Sequence, residues 1–312
     1  MYNIHPEFDD AVLEARNLPA FSSEFIKELQ LLTSDELNTA ELAKHIRLDP
    51  ALTARILRVA NSPFFGMQRH IESIEEAILI VGLRHTRGLV IAGTVMSALQ
   101  PQPKTGLDPE QFWRNTLATT AGAQSIAHYV LANHSHPQAI SVDAAFVAGI
   151  LHDIGKLMMA VTWESRYLQV SQLIHIEKLM AHEAEQRIFS YDHSKLGAAI
   201  CERWWLPNAI CHAIHYHHEA QRPTLNLGLA EKNLAAVLCL ADAISPLLTQ
   251  PCHSEGEANM DTLLALLPAN QRHLAELAMR ELEIESTALL PLIPDMRLIY
   301  LSLCHLVQLK MS

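Results

Sequence analysis

Signals that begin and end helices recur along most of this chain. Asn38 is followed three residues later by Glu41, a spacing typical of a capped helix start. Asp49 and Pro50 form a second start, because proline suits the first helical position, and Gly82 is typical of a helix end. Alternating apolar and polar runs bounded by turn residues, which would indicate strands, do not stand out. The sequence therefore predicts an all-α protein.

Composition narrows the class of protein. The 312 residues are 49% hydrophobic and 18% charged, which is enough apolar surface for a folded core. The net charge of −11 argues against a surface that binds nucleic acid. The first ten residues lack the basic and apolar regions of a signal peptide. The long apolar stretches, at 88–99 and 234–248, look too short for a membrane span or contain Asp242, so we expect no membrane contact and a cytoplasmic protein.

Two polar segments divide the chain into three predicted parts. Residues 100–109 are rich in proline and polar side chains, and residues 251–259 are polar and acidic. These breaks predict an N-terminal helical part at 1–107, a histidine-rich part at 108–250 and a leucine-rich C-terminal helical extension at 251–312.

Histidine is unusually frequent, at 18 of 312 residues, and several histidines stand beside carboxylates. His152 and Asp153 are adjacent in the segment GILHDIGK. Neighbouring residues in a helix point about 100° apart, so both side chains reach one metal only near a helix end or distortion. Alone, this pair is weak support for a metal site, because a histidine in the core beside a hydrogen-bonding neighbour has the same pattern.

Further candidate ligands follow at a distance along the chain. They are His193, the pair His217 and His218, and Asp242. Asp242 lies inside an apolar run, where burying a carboxylate is costly unless it binds a cation or a donor. Imidazole and carboxylate together suit Fe, Mn, Zn or Ni better than Ca or soft copper. His212 and His215, which also lie in this dense patch, are interpreted as structural residues or as residues that support the ligands.

Several separated motifs, in order, give the sequence a specific resemblance. The motifs are LPA at 18–20, ELAKHI at 41–46, DPALTARILRVANS at 49–62, FG at 65–66, IEEAI at 74–78, FWR at 112–114 and WWLP at 204–207. Together with the histidines and aspartates they resemble the HDOD domain, a branch of the HD superfamily of metal-dependent phosphohydrolases that is related to the HD-GYP branch. The resemblance covers roughly residues 18–245. It implies an HD-like helical bundle that serves bacterial signalling proteins as a regulatory or output module.

The resemblance also implies a set of site residues. The metal ligands would be His152, Asp153, His193, His217, His218 and Asp242. They would hold one or two divalent ions, which lower the pKa of a bridging water and clamp a phosphoryl group. Asp153 would be the bridging carboxylate, and Lys156, one helical turn later, would neutralise phosphate charge.

The sequence departs from the HD pattern at two places. The first metal-binding histidine of the superfamily would fall on the helix after FWR, where this chain has Asn115, and an amide oxygen is a poorer transition-metal ligand than imidazole. The segment EAQRPT at 219–224 lacks the Gly-Tyr-Pro signature that is linked to hydrolysis of cyclic di-GMP. The first departure points to a weakened metal site, and the second argues against cyclic di-GMP phosphodiesterase activity.

Three functional hypotheses stay open. The first is a regulatory HDOD module of a bacterial cytoplasmic protein, which keeps a weakened metal site and acts on an unidentified signalling protein. The second is an active metal-dependent phosphohydrolase for a nucleotide or another phosphorylated small molecule. The third is a DNA-binding regulator, because residues 39–62 resemble a helix-turn-helix with an excess of lysine and arginine.

Overall fold

The structure is a computed structural model that describes residues 8, 26–27, 30–32, 37–61, 65–98, 103–133, 140–219, 227–249 and 260–307. Within these residues the regular elements are helices, and none is a strand, which confirms the all-α prediction. The motif at 18–20 and the predicted break at 251–259 lie outside the described residues.

Sixteen α-helices can be numbered in chain order within the described residues. The first four are α1 Thr39–Arg47, α2 Pro50–Ala60, α3 Ile74–Val81 and α4 Leu83–Ala98. The middle of the chain forms α5 Pro109–Asn133, α6 Val142–Leu151, α7 Ile154–Thr162, α8 Glu164–Glu177, α9 Ala181–Phe189, α10 His193–Arg203, α11 Asn208–Tyr216 and α12 Leu229–Thr249. The last four are α13 Met260–Ala265, α14 Ala269–Glu281, α15 Ser286–Leu289 and α16 Ile293–Val307.

The capping signals in the sequence are confirmed where the structure describes them. Asn38 Oδ1 accepts a hydrogen bond from the Glu41 backbone N–H at 3.0 Å, and the Glu41 carboxylate accepts one from the Asn38 backbone. Asp49 Oδ1 accepts from the Leu52 N–H at the start of α2. Gly82 ends α3 with a φ of 90°, a value that glycine adopts without strain. Local chemistry thus sets these helix boundaries.

The core is organised around the long helix α5. It packs against α6 and α12, and α12 packs in turn against α11 and α14. Small residues allow this close packing, since a Cβ added at Gly122 on α5 would lie 3.2 Å from the Ala241 Cβ on α12. Helix α10 packs against both α7 and α11 beside this pair. This arrangement brings the ends of α6, α10 and α11 close to the middle of α12.

The C-terminal helix α16 connects the described parts of the chain. It packs against α2, α4, α5 and α12, and Arg297 Nη2 donates a hydrogen bond to the Leu247 carbonyl of α12 at 2.8 Å. The predicted extension is therefore helical and lies against the rest of the fold. The exact three-part division stays a prediction.

Within the described residues, three segments are long and apolar enough to cross a membrane by length and composition, namely Val142–Thr162, Leu229–Thr249 and Ser286–Cys304. The expectation is therefore wrong on length for the stretch at 234–248, whereas the stretch at 88–99 lies in none of these segments. In the first two segments, 83% and 78% of the apolar window is buried inside the fold, against 33% in the third. The absence of membrane contact and the cytoplasmic location stay predictions.

Candidate metal centre

His152 and Asp153 lie at the corner between two helices. Helix α6 ends at Leu151, His152 occupies its C-cap, and Asp153 occupies the N-cap of α7. Both side chains can face one centre only where the helix breaks, as the sequence predicted. The two side chains do converge, with His152 Nε2 lying 3.4 Å from Asp153 Oδ2, and both residues are buried.

A glycine allows this corner to approach the next candidate ligand. A Cβ added at Gly155 would lie 2.1 Å from the carbonyl oxygen of His193, so only glycine fits without movement of one backbone. The close approach of α7 to the start of α10 brings His193 Nε2 to 3.2 Å from Asp153 Oδ1.

His217 and His218 enter the centre from the turn that follows α11. The helix ends at Tyr216, so both side chains lie just beyond its last turn. The Nε2 atom of His193 lies 3.4 Å from His217 Nε2 and 2.9 Å from His218 Nε2.

Asp242 completes the group from the middle of α12. Its Oδ1 lies 3.5 Å from His152 Nε2, and its Oδ2 lies 4.0 Å from His218 Nδ1. Thr119 on α5 donates a hydrogen bond to Asp242 Oδ1 at 3.4 Å, which links the central helix to the site. The structure therefore brings together all six ligands that the sequence predicted.

The arrangement fits one or two metal ions. In the part of the chain that the structure describes, two trios have ligand atoms that lie within 4.8 Å of one another: His193, His217 and His218, and His152, Asp153 and His217. Three buried atoms at the centre, His152 Nε2, Asp153 Oδ1 and His218 Nδ1, have no hydrogen-bond partner among the described residues. Buried polar atoms normally have a partner, and a cation would supply one here. His217 belongs to both trios, but its Nδ1 is used by a backbone carbonyl, so its one free nitrogen, Nε2, would bind one ion.

Three histidines are oriented so that Nε2 faces the centre. The Nδ1 atom of His152 lies 2.8 Å from the Gly149 carbonyl oxygen, and that of His217 lies 2.6 Å from the Ile214 carbonyl oxygen. A carbonyl oxygen only accepts hydrogen bonds, so each Nδ1 carries the proton and donates it. Their Nε2 lone pairs remain available for a metal, and the contact of His193 Nδ1 with a carboxylate oxygen at 2.5 Å turns the Nε2 of that ring toward the centre as well.

The environment keeps two of the histidines neutral. Burial, with the neighbouring His152, lowers the pKa of His217 to about 3, and burial with the neighbouring His217 holds the pKa of His218 well below its usual range. His193 behaves in the opposite way, because burial lowers its pKa but Glu185 outweighs this and raises it to about 9. Neutral imidazole is the form that binds a metal.

Asp153 is held as a carboxylate. Burial alone would raise its pKa, but His152 and Lys156 together bring the pKa well below the usual value for aspartate. Lys156 Nζ lies 2.7 Å from Asp153 Oδ2, and its side chain is 18% exposed. Burial would lower the pKa of Lys156, but Asp153 raises it overall. Lys156 is therefore a charged partner of Asp153 rather than a solvated surface lysine.

Three residues that the sequence analysis singled out have other partners. Asn115 Oδ1 accepts a hydrogen bond from Gln111 Nε2 at 2.8 Å. His212 Nδ1 lies 3.1 Å from Glu231 Oε1, and the His215 ring packs edge-on against Tyr216 with centroids 4.3 Å apart. His212 and His215 fit the predicted structural role.

Sequence analysis missed Glu185, His182 and Thr119. Glu185 is fully buried on α9, four residues before the buried Phe189, so a carboxylate on the apolar face of an amphipathic helix was the available signal. The His182 ring stacks on the His218 ring at 4.5 Å. Thr119 carried no signal, since threonine is common in buried helices.

Comparison with known proteins identifies the family. The model of the HDOD domain matches residues 18–220, about two thirds of the chain. The chain belongs to the HDOD domain family, as the motifs indicated. The match contains five of the predicted ligands, and Asp242 lies beyond its end.

Solved structures share the fold. An HDOD domain protein of unknown function from Geobacter sulfurreducens is 22% identical, with a TM-score of 0.68 over 96% of this chain and 98% of its own. A candidate phosphohydrolase from Shewanella amazonensis SB2B is 21% identical, with a TM-score of 0.69 over the same shares, 96% and 98%.

An uncharacterized protein from Treponema pallidum (strain Nichols) is 24% identical over 205 residues, which cover 65% of this chain and 38% of that protein. The matched region thus spans well under half of that relative.

Proposed function

We propose that this chain is a regulatory HDOD module that binds a divalent transition metal between α6–α7, α10, α11 and α12. The convergence of six imidazoles and carboxylates, three of them with buried atoms that lack a hydrogen-bond partner within the described residues, carries this proposal. Fe, Mn, Zn and Ni are the metals that this donor set suits. A protein partner in signalling, which the resemblance to the HDOD domain implies, is part of the proposal.

The candidate ligands would form two groups, one for each ion. His193, His217 and His218 would hold one ion, and His152 and Asp153 would hold a second, with Asp242 close to both groups. A bound ion would supply Lewis-acid polarisation of a phosphoryl oxygen or a water. Lys156 forms an ion pair with Asp153, and because its side chain is partly exposed it would also contact an anionic ligand.

An active phosphohydrolase is the second candidate. The retention of both trios and the pairing of Lys156 with Asp153 favour it, and the similar Shewanella amazonensis protein is described as a candidate phosphohydrolase. Asn115, in place of a histidine, argues for weaker metal binding and for the regulatory role. No comparable observation favours DNA binding: Arg47, one of the basic residues of that segment, forms an ion pair with Glu75.

Metal binding is tested first with a pair of histidine variants. His217→Ala removes the ligand common to both trios, whereas His175→Ala removes an exposed histidine on α8. Elemental analysis and titration with Mn²⁺, Fe²⁺ and Zn²⁺ are expected to show bound metal in the wild type and in His175→Ala, and to show its loss in His217→Ala. Equal metal content in both variants would refute the site.

Activity assays then separate the two candidates. Metal-loaded protein is tested for phosphatase and phosphodiesterase activity on nucleotide and simple phosphoester substrates. The regulatory module predicts bound metal without turnover. Turnover that disappears in Asp153→Ala would instead establish the enzyme.

A further inference from the structure

Glu185 is a fully buried carboxylate whose described hydrogen bonds both go to one residue. Its Oε2 accepts from the His193 backbone N–H at 2.8 Å and from the His193 ring Nδ1 at 2.5 Å. Placing an ionised carboxylate in the interior is unfavourable unless it is paired. The location of Glu185 therefore calls for an explanation beyond packing.

Two attachment points fix the geometry of His193. The backbone N–H lies in the first turn of α10, where helix N–H groups lack an acceptor within the helix. One bond holds the backbone and the other holds the ring, so both side-chain torsions between them are restrained. A single bond would leave the ring free to change its direction.

The restrained ring faces three other candidate ligands. A carboxylate oxygen only accepts, so Nδ1 of His193 carries a proton and Nε2 faces inward. That Nε2 lies 3.2 Å from Asp153 Oδ1, 3.4 Å from His217 Nε2 and 2.9 Å from His218 Nε2. A rotation of this one ring would disturb three neighbours.

The cap of α10 does not require Glu185. Asp192 Oδ1 already accepts from the Lys195 N–H at 3.0 Å, which caps the helix in the usual way. The bond from the ring of His193 adds nothing to that cap. His152 and His217 are oriented by neutral backbone carbonyls, whereas His193 is oriented by a carboxylate, which forms a stronger hydrogen bond and makes the imidazole a better donor to a metal.

We propose that Glu185 is a positioning residue of the metal centre, which holds His193 by its backbone and ring so that Nε2 faces the ion. The inference rests on the proposed function, since it assigns a role in metal binding at that same site. Carboxylates that support a metal-binding histidine typically change metal affinity about 10- to 100-fold when they are removed.

The test compares two glutamate-to-glutamine substitutions on one helix. Glu185→Gln removes the charge beside His193. Glu183→Gln, two residues earlier, alters a carboxylate that also accepts a backbone hydrogen bond, from Met180 at 2.9 Å, but is exposed. In Co²⁺ titrations we expect Glu185→Gln to bind about 10- to 100-fold more weakly, with an altered visible spectrum, and Glu183→Gln to match the wild type. Equal affinity and spectrum in Glu185→Gln and the wild type would overturn the inference.

A second measurement does not depend on metal binding. Correlation of ring ¹H and ¹⁵N nuclei reports which nitrogen of His193 carries the proton, and His193→Gln assigns the signal. Because the pKa of His193 is about 9, spectra of the metal-free wild type are recorded at about pH 10, where the ring is neutral. We expect the proton on Nδ1.

The two proposals fail in distinguishable ways. A wild type that binds no Co²⁺ refutes the metal centre, but the proton on Nδ1 would still support the orienting contact with Glu185. A proton on Nε2 in the wild type overturns the role of Glu185 even if metal binds, and this result does not depend on a folded Glu185 variant.

Discussion

Asn115 lies on the same face of α5 as Thr119, because residues four apart in a helix are neighbours. Thr119 contacts Asp242, so this face turns toward the metal centre, with Asn115 one turn away. Its amide is held by Gln111, a further turn along the face. A single side chain at position 115 therefore separates this site from the pattern that the HD superfamily resemblance implies.

Restoring the imidazole tests that position. We expect Asn115→His to raise affinity for Zn²⁺ or Co²⁺ on the order of tenfold, which corresponds to about 1.4 kcal/mol, because imidazole is a better ligand than an amide. Competition titration measures the change, and Gln111→His serves as the control one turn further away. Unchanged affinity in Asn115→His would mean that this part of α5 does not reach the ions.

The break between α6 and α7 is the element that presents His152 and Asp153. It divides an apolar stretch of 21 residues into two helices that meet at the centre. Gly155 in the first turn of α7 allows the second helix to lie against the backbone of His193. The site therefore depends on a contact between two helix ends that are distant in sequence.

Substitution of that glycine is expected to damage the site and the fold together. Gly155→Ala places a methyl group where the His193 carbonyl lies, so we predict a loss of stability of about 1–3 kcal/mol and weaker metal binding. Urea unfolding and Co²⁺ titration measure the two effects. In the control, Gly93→Ala on α4, the nearest described atom would be 3.9 Å away, and metal affinity should be unchanged. Normal binding in Gly155→Ala would show that the two backbones can separate without harm.

At the scale of the whole molecule, the centre lies where the helices from α5 to α7 meet those from α10 to α12. Asp242 comes from α12, which the C-terminal helix α16 holds through Arg297, and Thr119 comes from the central helix α5. Without metal, the folded state favours particular protonation states of the buried titratable groups there. Forcing a group into its other protonation state lowers the free energy of unfolding. Stability of the metal-free protein should therefore depend on pH.

We predict greatest stability of the metal-free protein near neutral pH. The pKa of His217 is about 3, below its unfolded value of about 6.5, so its contribution is present above pH 6.5 and is lost as the pH falls toward 3. The pKa of His193 is about 9, above the unfolded value, so its contribution is present below about pH 6.5 and is lost as the pH rises through 9. Urea unfolding of chelator-treated protein across this range measures both limbs.

A variant distinguishes this cause from general acid unfolding. His217→Ala lacks the depressed group, so its stability should fall less steeply on the acid side than that of the wild type. Identical acid limbs in the two proteins would contradict the assignment to His217.

The sequence alone determined the helical class, several helix boundaries and the identity of the six candidate ligands. Caps such as Asn38 and breaks such as the one at Gly82 act through neighbours a few residues away, so they can be recognised in a linear pattern. Only the tertiary structure decided that the six donors meet, that Glu185 orients His193, and that His212 turns instead to Glu231. These outcomes depend on how α5, α7, α10 and α12 pack across long stretches of chain, and no local periodicity encodes that packing.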